Sequence, residues 1–341
     1  QNMGTVGDKS KRIQKASEWL FEQFNQANPD NTLIQQTDLK TVQRTATLAK
    51  ADLTTQMVYE LPDLQGVMGC FYAIKSGDSV MVGQGIEEHY MPKGDSAPLP
   101  ETFQGIIVGI ADKLDTIVAC YENNLIPTSS KDPHGIRRAM LGIIRTLNYH
   151  NLNLDLDAAI TNTYTTWQKE PAHRDQLDKF FTQRFKQSLK DKYDADIIEA
   201  VSENWAQNIA QTQAKAETLQ TEKTSNPDQY KQLVETAVRI HRLAQKANGA
   251  NTVNESLFKE STEKEAFASY QKVAATLKTV TTPSDAYTAL ASLTQPMTSY
   301  FNDILVMDKD EAIQSNRLTF LNSLKQLYFS QLGNWEQLVI Q

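Results

Sequence analysis

Apolar residues recur at helical spacing along most of this chain, and this periodicity limits its possible folds more than any other feature. In the segment 107–121 the apolar side chains fall three and four residues apart, which places them on one face of a helix. A second stripe runs from Ile136 to Leu147, and leucines repeat every third residue from Leu318 to Leu327. The sequence therefore predicts an all-α, predominantly helical protein.

Glycine and proline are unevenly distributed, which indicates two parts of different character. They are concentrated between Pro62 and Gly142 and are sparse after Pro171, where the pattern predicts long amphipathic helices. A chain of 341 residues is also long enough for two domains of roughly 150 residues each. We therefore predict a domain at 1–193 and a second at 194–341.

Local signals locate two helix starts and one irregular segment. Asp132-Pro133 and Asn226-Pro227 each combine a capping residue with a proline at the first helical position. In the segment 67–84, short apolar pieces are separated by Lys75-Ser76-Gly77-Asp78, which predicts a small hairpin or a loop. The final helix is predicted to open at Asn316-Arg317-Leu318.

Charge and cysteine content bear on the class of protein and its compartment. The net charge is −7, which argues against a nucleic-acid binder that relies on bulk positive charge. Cys70 and Cys120 each stand alone, so neither a disulfide framework nor a structural zinc site is predicted, and a reducing cytoplasm fits best.

No apolar run approaches the roughly 20 residues of a membrane span. Residues 1–5 lack a signal-peptide pattern and an initiator methionine, which predicts an excised fragment or a processed chain.

Two aspartates beside apolar stripes resemble the metal ligands of histidine-aspartate (HD) phosphohydrolases, whose ligands are a His, a His-Asp pair and a final Asp. Asp112 would be the final Asp, with Asp115 three residues later, and Ala51-Asp52 stands where the pair is needed. The first of the five histidines is His89, so the imidazole ligands that a transition metal needs are missing. We predict degenerate HD positions at Ala51, Asp52 and Asp112.

These degenerate positions imply no catalytic residue and no bound metal, with both aspartates serving as structural hydrogen-bonding groups. The alternative is a surviving metal-dependent HD phosphohydrolase. His89 is expected at a capped or surface position rather than as a ligand. Nucleotide motifs are weak, because Gly83-Gln84-Gly85 lacks the third glycine of a dinucleotide loop and no P-loop occurs.

Basic residues are few but locally concentrated. The charge is −6 over residues 1–130 and +1 over 131–200. Arg137, Arg138 and Arg145 share one predicted helix, and guanidinium groups bind phosphate in a bidentate manner. A solvated face with local ion pairs is the alternative interpretation.

A second set of arginines occurs in the last part of the chain, accompanied by aromatic residues. Arg239 and Arg242 lie on one predicted helix, and Arg317 lies near the start of the last one. Most of the aromatic side chains are expected in the core by their spacing. The alternative for any one of them is stacking on a nucleic-acid base. These aromatic residues are Tyr300, Phe301, Phe320, Tyr328 and Phe329.

Several long motifs occur together and in order, and through them the chain resembles the β-subunit family of bacterial glycyl-tRNA synthetase. The resemblance covers essentially the whole chain but only the C-terminal half of that subunit, so the N-terminal half is expected to be missing. The motifs are KADLTTQMVYEL (50–61), LQGVMG (64–69), EHYMP (88–92), IADKLDT (110–116), KDP (131–133), RRA (137–139) and NLNLD (151–155).

The resemblance implies a degenerate HD-like helical domain at 1–193 and a DALR-type anticodon-binding helical bundle at 194–341. In that family the α subunit activates glycine with ATP and Mg²⁺ and transfers it, while the β subunit recognises tRNA within an α2β2 assembly. The implied partners are tRNA-Gly and the α subunit, with no DNA and no membrane. This chain would be a non-catalytic part of an ATP-dependent, cytoplasmic glycine–tRNA ligase, without a cofactor of its own.

Carried over by position, two groups of arginines become candidates for tRNA contact. Arg137, Arg138 and Arg145 would contact the tRNA backbone, and Arg239, Arg242 and Arg317 the anticodon end. A further alternative is a purely structural scaffold that holds the α subunit without binding RNA.

Overall fold

The structure is a computed structural model that describes residues 3–94, 96–127, 132–247 and 252–340. Residues 1, 2 and 131, which take part in sequence patterns given above, lie outside these ranges. Every regular element in the described ranges is an α-helix or a short 3-10 helix. The predicted all-α fold is confirmed.

The chain divides into two compact units. Unit 1 comprises Gln1–Ser188 and Ala206–Ala210, and unit 2 comprises Leu189–Trp205 and Gln211–Gln341. The division passes back and forth between residues 188 and 211 instead of cutting the chain once. The domain boundary placed between residues 193 and 194 therefore stays a prediction.

Unit 1 is built around one long helix, α7, whose residues are mostly buried. This helix packs against α1, α3, α6, α8 and α9. The hydroxyl of Thr102 caps its first turn by accepting a hydrogen bond from the amide of Gly105. The helices are α1 (Val6–Ala27), α2 (Thr32–Gln35), α3 (Leu39–Leu48), α4 (Gln56–Glu60), α5 (Val67–Lys75), α6 (Val80–Glu88), α7 (Phe103–Glu122), α8 (Ile136–Tyr149), α9 (Leu156–Trp167) and α10 (Arg174–Leu189).

The prediction of a hairpin or loop over 67–84 is wrong, because this segment forms α5 and most of α6. The two helices pack closely through glycines. A Cβ at Gly69 would lie 2.7 Å from the side chain of Ile86, and one at Gly83 would lie 2.8 Å from that of Ile74. The Gly77 that suggested a loop lies in the turn between α5 and α6 with a φ of 96°, whereas Gly69 and Gly83 are contact points between the two helices.

Two predicted helix starts need correction, and one is confirmed. Helix α8 begins at Ile136, not at Asp132-Pro133, although the carboxylate of Asp132 still accepts from the Ile136 amide at 2.8 Å. Pro227 is the first residue of its helix, as predicted. The last helix begins at Glu311, before the predicted Asn316, because Asp310 caps it.

In unit 2, two long helices, α13 and α17, pack against each other. Their buried faces include Leu233 and Ile240 on one side and Leu321 and Leu324 on the other. No helix among the described residues has the length and apolarity needed to cross a membrane. The helices are α11 (Ala195–Val201), α12 (Ile209–Ser225, of which the first two residues belong to unit 1), α13 (Pro227–Ala244), α14 (Ser261–Thr276), α15 (Pro283–Ala291), α16 (Thr294–Asp303) and α17 (Glu311–Leu332).

Candidate nucleic-acid interface

The buried carboxylate of Asp112, in the middle of α7, is held by two lysines. The ammonium of Lys50 lies 2.7 Å from Oδ2, and that of Lys9 lies 2.9 Å from Oδ1. Burial alone would raise the pKa of Asp112, but the two positive charges outweigh it and hold this pKa well below its ordinary value. Both oxygens of the degenerate HD position are therefore occupied by protein cations.

Asp52, the other predicted HD aspartate, is equally buried but sits in different surroundings. Its Oδ2 accepts a hydrogen bond from the amide of Gly66 at 2.6 Å, and its Oδ1 has no partner among the described residues. Asp52 and the exposed Ala51 line one cavity, whereas Asp112 lines another. Within the described ranges, no group of three or more His, Cys, Asp or Glu side chains is placed to hold a metal ion.

Asp115, one helical turn beyond Asp112, holds a second set of contacts. Arg12 donates to both of its oxygens, at 2.6 and 3.1 Å, and the indole of Trp167 donates at 2.8 Å. The guanidinium of Arg12 also lies 3.8 Å from the centre of the Trp167 ring. Sequence reasoning missed Lys9, Arg12 and Trp167, because their distance from α7 along the chain leaves no local signal.

His89 was expected at a capped or surface position, and it lies at a cap but is fully buried. It is the C-terminal cap residue of α6, and its ring turns inward, with Nδ1 at 2.5 Å from the carbonyl oxygen of Ile86. Burial and the nearby charge of Lys50 lower the pKa of His89 well below its ordinary value. The ring is therefore neutral at pH 7, and its Nε2 has no partner among the described residues.

The arginines of α8 do not form one phosphate-binding face. Arg138 is exposed, while Arg137 and Arg145 are half-buried. Arg145 donates to the carbonyl oxygens of Gly94 and Ala97, at 3.0 and 3.2 Å, and so fixes the chain that precedes α7. Of the three, Arg138 is the side chain best presented to a ligand.

Arg138 also borders a cavity of 480 Å³, here named the α7–α8 cavity. Lys113 in its wall donates to the carbonyl oxygens of His89, Met91 and Gly109, at 3.1, 2.7 and 3.3 Å. Burial lowers the pKa of Lys113 to about 8. The lining includes His89, Tyr90, Lys93, Asp112, Lys113 and Arg138.

In unit 2, two of the three predicted arginines are exposed on α13. Arg239 and Arg242 are three residues apart, and neither forms an ion pair with a described residue. The guanidinium of Arg239 lies 4.1 Å from the centre of the Phe301 ring, on α16. This contact orients a planar cation while its outer face stays open.

Arg317 is buried, and its contacts do not fit the predicted role in tRNA binding. Its Nε lies 2.7 Å from Oε1 of Glu263, and its Nη1 lies 2.8 Å from Asp308 and 3.0 Å from the carbonyl oxygen of Leu305. Arg317 is 4% exposed and Glu263 is fully buried. A guanidinium held by two carboxylates inside the unit joins α14 to α17 and is not presented to a phosphate.

The aromatic residues of unit 2 are mainly core, as their spacing predicted. Tyr300, Phe320 and Tyr328 are fully buried. Phe329 is half-buried and stacks on His241, with ring centres 4.7 Å apart. His241, whose Nε2 lies 2.9 Å from a Glu336 oxygen, lies between Arg239 and Arg242 on α13 and was not singled out from the sequence.

Comparison with known proteins identifies similarity in both units. Residues 1–203 match the family model described as glycyl-tRNA synthetase beta subunit, and residues 233–331 match that of the DALR anticodon binding domain. The glycine–tRNA ligase beta subunit of Lactobacillus acidophilus is 35% identical over 99% of this chain and 49% of its own length. That of Halalkalibacterium halodurans is 32% identical over 100% and 49%, and that of Geotalea daltonii 34% over 96% and 47%. The chain thus spans about half the length of these curated relatives.

Proposed function

The chain belongs to the glycyl-tRNA synthetase β-subunit family, and we propose that it is the tRNA-recognition part of a bacterial glycine–tRNA ligase β subunit. It binds tRNA-Gly, and unit 2 contacts the anticodon end. The α subunit activates glycine with ATP and transfers it, while this chain contributes no catalytic residue. The complex works in the cytoplasm as an α2β2 assembly.

The anticodon assignment rests on one observation, the match of residues 233–331 to the DALR anticodon binding domain. That match includes the part of α13 from Leu233 onward, where Arg239 and Arg242 are exposed one turn apart and so project to the same side of the helix. Single-stranded RNA is recognised by arginine planes, base-edge hydrogen bonds and phosphate contacts. Two exposed arginines, one already stacked on Phe301, supply these elements without an overall positive charge.

Unit 1 contributes contact with the tRNA backbone through α8. Arg138 is exposed there, whereas Arg145 holds the chain near Gly94 and Ala97 and acts by positioning. In this proposal the residues 1–193 are the HD-like domain and 194–341 the DALR-type domain. The half-buried Arg137 remains a secondary candidate.

Two other functions are less well supported. A metal-dependent HD phosphohydrolase needs Asp112 as a metal ligand, but this carboxylate is occupied by Lys9 and Lys50. A scaffold that only holds the α subunit does not require exposed arginines within the part of the chain that resembles an anticodon-binding domain. Binding of tRNA by this chain alone argues against the scaffold.

The proposal is tested by measuring tRNA-Gly affinity for the chain and for the double variant Arg239→Gln/Arg242→Gln. We expect the double variant to weaken binding at least tenfold, since each lost charge removes a phosphate or base contact. Lys272→Gln, at an exposed position on α14, is the matched control and should change affinity little. Equal affinities for the parent chain and the double variant would contradict the assignment of α13 as the contact surface.

A further inference from the structure

The α7–α8 cavity of unit 1 contains hydrogen-bonding atoms that the fold itself does not use. His89 is fully buried, and its Nδ1 is turned to the Ile86 carbonyl, which leaves Nε2 as an acceptor without a partner. The hydroxyl of Tyr90, also in the cavity wall, is buried and has no partner among the described residues. Leaving buried polar atoms without partners is unfavourable, and a ligand that pairs with them removes this cost.

The charge around the same cavity is favourable for an anion. Lys93 and Arg138 are exposed in its lining, and neither forms an ion pair with a described residue. Of the two carboxylates in the wall, Asp112 is already neutralised by a pair of lysines, which leaves Asp63 as the other acid. Lys113 adds a half-buried positive charge nearby.

The hydrogen-bonding capacity of Lys113 is used up, because its three donors reach three backbone carbonyls. It therefore raises the potential of the cavity without contacting a ligand directly. Direct contact with an anion falls to the guanidinium of Arg138 and the ammonium of Lys93. Guanidinium groups bind phosphate oxygens in a bidentate manner, and lysine supplies a point charge.

We propose that the α7–α8 cavity binds a nucleotide, with the phosphate held by Arg138 and Lys93 and a nucleoside hydroxyl or amine donating to Nε2 of His89. A nucleotide combines the two features that the cavity requires, an anionic end and a neutral end that carries donors. The hydroxyl of Tyr90 provides a further contact to the nucleoside. The volume of 480 Å³ lies within the range of small-molecule pockets, about 300–1,000 Å³.

This nucleotide can come from two sources, a free mononucleotide or the end of an RNA strand. The inference goes beyond tRNA recognition by unit 2 and does not depend on it. A mononucleotide tests the cavity without any tRNA, so failure of the anticodon assignment and failure of this inference are distinguishable.

The test is calorimetric titration of the full chain with AMP, and with inorganic phosphate and adenosine as separate ligands. We expect AMP to bind saturably and more tightly than either part, because the two ends of the cavity are engaged together. Arg138→Gln should weaken AMP binding roughly ten- to a hundredfold, the effect of losing a charged hydrogen-bonding partner. Tyr90→Phe should weaken it by roughly threefold, since it removes one neutral hydrogen bond.

Lys40→Gln is the matched control, an exposed lysine on α3 outside the cavity, and it should leave AMP binding unchanged. Because Arg138 and Lys93 are exposed, their glutamine variants should fold. The thermal unfolding midpoint of each variant, compared with that of the parent chain, checks this. Absence of saturable AMP binding at millimolar concentration would overturn the inference. So would AMP binding that Arg138→Gln and Lys93→Gln leave intact, or phosphate binding as tight as that of AMP.

A competition experiment then identifies the source of the nucleotide. A short single-stranded RNA with a terminal phosphate is titrated against bound AMP. If the RNA displaces AMP from the parent chain at a lower concentration than AMP itself requires, the ligand of the cavity is an RNA end. Failure of the RNA to displace AMP supports the cavity with a free nucleotide as its ligand.

Discussion

In unit 1, the ammonium of Lys50 lies 2.7 Å from Oδ2 of Asp112, and both side chains are almost fully buried. The two residues are 62 positions apart in the sequence and meet where the 3-10 turn after α3 approaches the middle of α7. Lys9 adds a second ammonium on the other oxygen. A divalent metal would supply positive charge to such a carboxylate, and here two lysines supply it.

This pairing predicts that Lys50→Met destabilises the protein by about 3 kcal/mol, because removing one partner leaves a buried charge poorly compensated. The contact from Lys9 limits the loss. The free energy of unfolding in urea measures it, with Lys40→Met as an exposed control that should change it by less than about 0.5 kcal/mol. Joint replacement in Lys50→Met/Asp112→Leu should restore part of the loss, and an unchanged stability of Lys50→Met would contradict the account.

The loss of unfolding free energy at low pH should depend on the carboxylate of Asp112. The folded-state pKa of Asp112 is well below its ordinary value of 3.8, because the two lysines overcome the effect of burial. Because the pKa of Asp112 is lower in the folded protein than in the unfolded chain, its ionised carboxylate stabilises the folded state. This contribution is fully present above the unfolded pKa and is lost as the pH falls through the folded pKa. We expect Asp112→Asn to flatten the fall in unfolding free energy below about pH 4.

Measurement of unfolding free energy in urea at several pH values between about 2 and 6 checks this dependence. Asp30→Asn, at an exposed position, is the control and should leave the acid slope close to that of the parent chain. If the unfolding free energy of Asp112→Asn falls with decreasing pH as steeply as that of the parent chain, other carboxylates determine the acid sensitivity and the prediction is contradicted.

In unit 2, we expect Arg317 to contribute to the stability of the fold and not to contact tRNA directly. Arg317→Gln removes a guanidinium held by Glu263 and Asp308 and leaves Glu263 buried without its cation. We expect a loss of about 3–5 kcal/mol in unfolding free energy. The exposed Arg242→Gln should lose less than about 0.5 kcal/mol. If Arg317→Gln unfolds normally and only weakens tRNA binding, its assignment as a structural anchor is wrong.

Substitutions of Arg239, which stacks on Phe301, can separate the effect of its positive charge on tRNA affinity from the effect of its planar shape. Arg239→Lys keeps the charge but loses the planar group, so tRNA affinity should fall several-fold while its dependence on salt stays the same. Arg239→Gln should lower affinity and also reduce the slope of log affinity against log salt by about 0.7. Filter binding across a salt series measures both quantities, and equal slopes for the two variants would contradict direct phosphate contact.

Helices were the part of this protein that the sequence predicted best. The apolar stripes at 107–121 and 136–147 became α7 and the buried side of α8. The segment 67–84 was misread because the turn signal at Lys75-Ser76-Gly77-Asp78 suits a link between two strands as well as one between two short helices, and apolar runs this short do not separate the two. The resemblance to HD phosphohydrolase ligands pointed to Asp112, but it gave no indication of which cations would contact its carboxylate.

The arginines illustrate the same limit. Arg239, Arg242 and Arg317 are chemically alike in sequence, yet Arg317 is buried because Glu263, 54 residues away, is folded beside it. His89 caps the end of α6, within the expectation of a capped or surface position, but its ring is fully buried. Contacts between residues distant in sequence thus decided which candidates are presented to a ligand.

The central claim is that unit 2 recognises the anticodon end of tRNA-Gly, and the most direct test is an affinity measurement with anticodon variants. The chain is titrated with tRNA-Gly, with tRNA-Gly carrying a substituted anticodon, and with an unrelated tRNA carrying the glycine anticodon, at several salt concentrations. We expect substitution of the anticodon to weaken binding by roughly tenfold or more, and Arg239→Gln/Arg242→Gln to abolish the difference. Equal, anticodon-independent binding of all three RNAs would contradict the claim.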